Sequence, residues 1–223
     1  MGKRKTDTKL SILHCATKLF LEKGYTAAYI TTIAKELNIS TGNLTFHYPT
    51  KEDLLAEIVK ELFAFQFDTK GETEEQTSPV VLYLRELIII TAICEENSNV
   101  KDLITAAYTH SLPLKVIREN DGRKAAERFG NYCPDWSAED FAKAENIVSG
   151  IEYAMLMTEN AEMISLEERY ASSVNAIMRI YQVPEEDRKK FIKEVLVMDW
   201  RNMERQVFEK FCDYVGKKNP NIE

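Results

Sequence analysis

The segment Ser40-Thr41-Gly42-Asn43-Leu44-Thr45-Phe46-His47-Tyr48 gathers hydroxyl, amide and aromatic side chains with no acidic residue among them, and Lys51 follows three positions later. The chemistry open to such a set is hydrogen-bonded recognition, not covalent change. An asparagine carboxamide carries a donor and an acceptor side by side and can pair with adenine through both. A threonine can donate to a phosphate or lay its methyl group on a thymine. Gly42 permits close backbone approach. On this reading Thr41, Asn43 and Thr45 are placed to read base edges, while Thr32, Ser40, Tyr48 and Lys51 serve phosphates. Second uses remain open for several of them. Ser40 is a good helix N-cap, Phe46 is either a groove wedge or a core ring, Tyr48 could be a core ring, and Lys51 could be a solvated lysine.

Catalytic constellations are absent. There is no GxSxG, no HExxH and no glycine-rich phosphate loop. His14 and His110 stand alone on helical patterns, and the pairs Glu95-Glu96 and Glu185-Glu186 fall at solvated helix ends. No catalytic residue, metal site or cofactor is expected. Cys15, Cys94, Cys133 and Cys212 lie far apart without CxxC spacing, which indicates neither zinc nor a disulfide framework and suits a reducing cytoplasm.

The charge is divided unevenly. The 223-residue chain has a formal net charge of −7, yet residues 1–51 carry eight Lys or Arg against three Asp or Glu. A basic head on an acidic body is expected when only the head approaches phosphate. Lys3-Arg4-Lys5 is either an arm that follows DNA or a solvated tail. Because polar Thr6-Asp7-Thr8 comes next, no secretory leader is expected. The longest apolar run, Leu87–Cys94, is too short to span a bilayer, so no membrane partner is expected and the location read here is cytoplasmic.

Helical periodicity must position these residues. Only 8 Gly and 6 Pro argue against an all-β fold, and a hydrophobic fraction of 44% supports a real core. Ile12, Leu13, Ala16, Leu19 and Phe20 form one stripe of a helix over about 7–23, stopped by Gly24. A short helix over about 31–37 ends at Asn38. Ser40 caps a third over about 41–47. Pro49 interrupts the chain, and Thr50 with Asp53 caps a fourth. Residues 68–78 read as a polar loop. Further helices are expected over about 80–94, 100–110, 113–132 (with Pro113 and Gly122 as weak points), 138–159 and 166–181. A last long one starts at Pro184 and runs to about Val215. Ser137 with Asp140 and Ser165 with Glu168 are capping boxes. The fold class is all-α, with about ten helices, an N-terminal three-helix DNA-binding domain over 1–50 and a larger helical domain over 51–223.

Two short helices joined by a tight turn after a longer one form a helix-turn-helix, whose last helix enters the major groove, about 12 Å wide. The stretch from Ile33-Ala34-Lys35-Glu36-Leu37 through Ile39-Ser40-Thr41-Gly42 and Phe46-His47-Tyr48 to Lys51-Glu52-Asp53-Leu54 resembles the tetracycline-repressor (TetR) family. Leu19-Phe20-Leu21-Glu22-Lys23-Gly24-Tyr25 and Thr31-Thr32 extend the likeness, which covers about residues 8–60. Thr45 stands where the family usually has Tyr, and Tyr48 where it usually has Phe. The resemblance implies a sequence-specific DNA-binding regulator, a repressor released from a palindromic double-stranded operator by a small-molecule effector. It implies that His47 lies beside the DNA backbone.

The resemblance also implies a homodimer built from two helices near the C-terminus, here about 141–157 and 166–181, with the last helix as a rival. An effector of apolar or amphipathic character would line up with Tyr108, Phe129, Tyr132, Tyr153, Met155 and Met157, although aromatic and Met residues at such spacing also serve as ordinary core. A DNA-binding regulator without an effector, and a helical enzyme or interaction protein, are the alternative readings.

Overall fold

Apolar residues at three- and four-residue spacing turn almost all of the described chain into helix. The structure is a computed structural model that describes residues 2–68, 77–158 and 164–217. Among the described residues there are eleven helices and no strand. They are α1 (Gly2–Lys23), α2 (Ile30–Glu36), α3 (Thr41–His47), α4 (Lys51–Asp68), α5 (Pro79–Glu96), α6 (Ser98–Thr109), α7 (Ser111–Phe129), α8 (Ala138–Met157), α9 (Leu166–Ile180), α10 (Glu185–Leu196) and α11 (Trp200–Lys217). Most of the polar loop expected over 68–78, and the side chains of Lys3, Arg4 and Lys5, lie outside the described residues.

The chain packs as two compact units. The first comprises Met1–Thr69, Glu96–Val116 and Gln206–Glu223; the second comprises Lys70–Glu95 and Ile117–Arg205. In the first, Ile12, Ala16 and Phe20 of α1 meet Ile33 of α2, Leu44 of α3, Leu54 and Ile58 of α4, and Leu103 of α6 in one buried cluster. The apolar stripe of α4 thus closes the core on which the short helices rest. The far end of α4 has its own packing. Phe65 sets its ring edge-on to Phe211 at 5.2 Å, and the Tyr214 hydroxyl donates to Glu61 at 3.0 Å.

In the second unit, Val80, Leu84 and Ile88 of α5 are buried. Both expected capping boxes are formed. Ser137 and Asp140 start α8, and Ser165 and Glu168 start α9. α7 is continuous where a bend was expected at Pro113 or Gly122. Pro113 falls in the first turn, where a missing N–H costs no helical bond. A Cβ built on Gly122 would meet only ordinary contacts, the nearest at 3.7 Å.

The expected last helix is two helices. α10 ends at Leu196, and the Asp199 carboxylate accepts the Asn202 N–H at 3.4 Å as α11 begins at Trp200. The break has a geometric reason. Val195 and Trp200 are both buried, at 0% and 6% exposure. On one straight helix, residues five apart point about 140° away from each other. Interrupting the helix lets both side chains turn inward and leaves Val197 at the break in solvent.

Candidate nucleic-acid interface

The geometry of the short helices is set by two left-handed residues. Gly24, at φ +82°, ends α1 while its N–H still bonds the Phe20 carbonyl at 2.9 Å. Asn38, at φ +52°, ends α2, and Ile39 N–H reaches back to the Ala34 carbonyl at 3.0 Å. Asparagine tolerates this conformation better than most side chains. The turn then needs only Ile39 and Ser40 before α3 starts. Ser40 Oγ accepts the Asn43 N–H at 3.1 Å, which fixes the first turn of the third helix.

α3 is seven residues long and divides sharply by face. Leu44 is fully buried in the core beneath. Thr41, Gly42 and Asn43 are exposed, and Thr45 and His47 are half-buried. Phe46 is 66% exposed, with its ring edge-on to His47 at 5.4 Å. The Thr45 hydroxyl bonds the Gly42 carbonyl at 3.3 Å. Among the described residues, the Thr41 hydroxyl and the Asn43 carboxamide make no hydrogen bond within the chain. Thr41, Gly42 and Asn43 are therefore open to a partner, and Phe46 is exposed beside them. Thr32, on α2, is half-buried.

Two of the expected phosphate ligands sit differently. Tyr48 is a core ring, 2% exposed, whose hydroxyl donates to the Lys9 carbonyl at 3.3 Å. Burial, foremost, and the charges of Glu57 and Glu61 raise its hydroxyl's pKa well above the ordinary tyrosine value. Lys51 is half-buried, and its ammonium donates to the Tyr25 carbonyl and lies over the Tyr25 ring at 4.1 Å. Burial lowers its affinity for the proton, against the favourable charge of Asp102. Its cation is already partly desolvated and used. Thr50 and Asp53 form the expected reciprocal cap on α4, with the Asp53 N–H to Thr50 Oγ1 at 3.1 Å and the Thr50 N–H to Asp53 Oδ2 at 2.9 Å.

One exposed aromatic escaped the sequence reading. Tyr29 is the N-cap of α2, makes no side-chain cap bond and is 66% exposed. The available signal was a large ring immediately before a helix start, at a position where the apolar stripe gives it no core role.

The residues expected to line an effector site are scattered by role. Tyr108, half-buried on α6, belongs to the first compact unit. The others belong to the second. Phe129 is a core ring stacked on Tyr181 at 4.2 Å. Met155 is 1% exposed, and Met157, at the end of α8, is 36% exposed. Tyr132 and Tyr153 are half-buried. What the sequence did not reveal is a set of buried carboxylates here. The Tyr83 hydroxyl donates to Glu152 at 2.8 Å, and the Tyr181 hydroxyl donates to Glu145; both glutamates are under 5% exposed. Arg118 donates to Ser149 at 3.0 Å, and Arg128 pairs with Glu86 at 3.1 Å. Burial, foremost, and the Asp121 charge push Glu145 up to about 7 against its bond from Tyr181 and the charges of Arg128 and Arg118. Glu95, expected at a solvated helix end, pairs with the buried guanidinium of Arg169.

Residues 12–58 match the family described as bacterial regulatory proteins, tetR family. Three curated relatives are similar over longer stretches. HbdR, an HTH-type transcriptional regulator of Aromatoleum sp. (strain CIB), is 29% identical over 133 residues, covering 55% of this chain and 57% of its own. YuxN, an uncharacterised HTH-type transcriptional regulator of Bacillus subtilis (strain 168), is 33% identical over 120 residues, covering 51% and 38%. BepR, an HTH-type transcriptional repressor of Brucella suis biovar 1 (strain 1330), is 25% identical over 155 residues, covering 61% and 74%. The match thus spans 57% of the length of HbdR and 38% of that of YuxN. Among solved structures, RolR in complex with resorcinol aligns over 86% of this chain and 96% of its own, with a TM-score of 0.66 at 16% identity. The tetR regulator tylP of Streptomyces fradiae aligns over 87% and 92%, with a TM-score of 0.53 at 15% identity. At these identities the likeness is one of fold.

Proposed function

We propose that the chain is a transcriptional repressor of the tetR family of bacterial regulatory proteins, which its residues 12–58 match, and that it reads a palindromic operator with α3. The observation that carries this reading is the outward row of Thr41, Gly42, Asn43 and Phe46 on a helix whose opposite side is anchored by Leu44. Short polar side chains with unused hydrogen-bonding capacity, on a rigid and acid-free helix, suit the major groove. Thr41, Asn43 and Thr45 read bases, and Phe46 packs on a thymine methyl. Thr32, Ser40, His47 and Lys51 attend the backbone, with the Lys51 ammonium offering one of its three donors to a phosphate while another keeps the Tyr25 carbonyl. Tyr48 acts from the core, holding the end of α3 in place. Residues 1–50 hold the DNA-reading surface, and 51–223 hold dimerisation and effector binding.

Two-fold symmetry would double the contact and set the operator's half-site spacing. The face of α8 supports a second copy as the partner. Ile147 is 60% exposed, Gly150 has open space where a Cβ would be, and Ala154 is exposed. α9 would complete a four-helix interface of the kind the family uses. The effector we propose is small and apolar or amphipathic, a class to which the resorcinol held by RolR belongs. The reading is tested by selecting sites from random duplex DNA with the purified protein at near-physiological salt. A pseudo-palindrome is the expected product. Recovery of no enriched sequence overturns the reading.

A further inference from the structure

α6 grips the turn between α1 and α2 through several unrelated contacts. Asp102 Oδ2 accepts the Thr26 N–H at 2.7 Å, and Asp102 Oδ1 accepts the Thr26 hydroxyl at 2.7 Å. Three residues earlier on the same helix, Asn99 Nδ2 donates to the Glu22 carbonyl at 2.7 Å. At its far end, the His110 ring stands edge-on to Tyr25 at 5.2 Å. The fit leaves no slack. A Cβ on Gly24 would lie 2.7 Å from Asp102 Oδ2. Tyr25, in the middle of the gripped turn, gives its carbonyl to Lys51 at the start of α4. One carboxylate on α6 therefore fixes the segment from which α2 departs, and that segment is tied to the helix that follows α3.

We propose that Asp102 is a positioning residue for DNA recognition: its two bonds to Thr26 hold the α1–α2 turn so that α2 and α3 meet the groove in one pose. The inference rests on the operator-binding reading above. It differs from a plain stability role for a physical reason. The apolar cluster of α1, α2, α3 and α4 already holds the helices together, whereas both Asp102–Thr26 bonds are solvent-exposed. Exposed hydrogen bonds add little to folding but do restrict orientation. A helix that rocks in the groove keeps its phosphate attraction and loses its base contacts.

The test compares native protein, Asp102→Ala, Asp102→Asn and Thr26→Ala by fluorescence anisotropy on the selected operator and on a scrambled duplex, with a thermal melt of each. Asp102→Ala is expected to weaken operator binding about tenfold, to leave scrambled-duplex affinity and its salt slope unchanged, and to move the melt little. Asp102→Asn keeps one acceptor and should recover part of the loss. Thr26→Ala removes one donor and should show a partial loss in the same direction. Operator affinity within twofold of native for Asp102→Ala overturns the proposal, as does an equal loss on both duplexes. If Asp102→Ala does not fold, Thr26→Ala decides, and an unchanged ratio of operator to scrambled affinity overturns it. If the native protein selects no operator, the DNA-binding reading itself has failed.

Discussion

Polar side chains are handled in opposite ways on α3 and in the second compact unit. On α3, Thr41 and Asn43 stand in solvent with their hydrogen-bonding groups unused by the chain. In the second unit, Tyr83 with Glu152 and Tyr181 with Glu145 are buried and bonded to each other. Unused capacity on a rigid surface awaits an external partner. Capacity satisfied in a low-dielectric core fixes how helices pack, and leaves them sensitive to any change of charge. On the proposed reading, base recognition and structural specificity fall to different residues, and each can be perturbed without the other.

The largest effect should come from removing what anchors the reading helix. Leu44 is fully buried, so Leu44→Ala should destabilise the head by about 2–5 kcal/mol, seen as an early transition in thermal or urea unfolding. A native-like unfolding profile would mean that α3 does not depend on this core.

The second perturbation acts on the buried carboxylates. Glu145 titrates at about 7 in the folded protein against an ordinary value of 4.5. The folded state therefore holds more protons than the unfolded state between these values, so stability should fall as pH rises through that window and level off above it. The fall is on the order of 3 kcal/mol for this one group, and Asp121, also raised by burial, acts in the same direction. Urea unfolding of Glu145→Gln should show a flatter pH dependence than native across pH 4.5–7. Unchanged curvature would remove Glu145 from the account.

Smaller effects are expected at the turns. Gly24→Ala places a Cβ on a left-handed residue and against Asp102, and should cost about 1–2 kcal/mol in thermal stability. Ser40→Ala removes the cap of α3 and should cost about 1 kcal/mol, with a parallel loss of operator affinity. A stable Ser40→Ala protein with normal affinity would show that the cap is dispensable.

Much of the reading head was legible because local rules suffice there. Gly24, Asn38, Ser40 and the Thr50–Asp53 pair announce their helix ends by residue type alone, and the spacing of Ile12, Ala16 and Phe20 announces the core. Roles that depend on distant partners were not legible. Nothing in the sequence near Lys51 shows that Tyr25, twenty-six positions earlier, holds its ammonium. Nothing near Thr26 points to Asp102. The break at Val197–Asp199 was hidden for the same reason, since either continuous or interrupted helix satisfies the local pattern until the burial of both Val195 and Trp200 is imposed. The buried glutamates were the hardest to foresee. Glu145 and Glu152 look like ordinary solvated positions, and partners distant in sequence, Tyr181 and Tyr83 among them, help make their burial tolerable.

On the proposed reading α3 reads bases with side chains that have no structural duty, and Asn43→Ala puts this to the test. The measurement is affinity for the selected operator and for its single-base variants, with the thermal midpoint taken alongside. An unchanged midpoint, a loss of about 1–3 kcal/mol on the operator, and loss of preference at one base pair per half-site are expected. An equal loss on every variant would mean that Asn43 contacts only the backbone. No loss at all would contradict the assignment of the reading surface to α3.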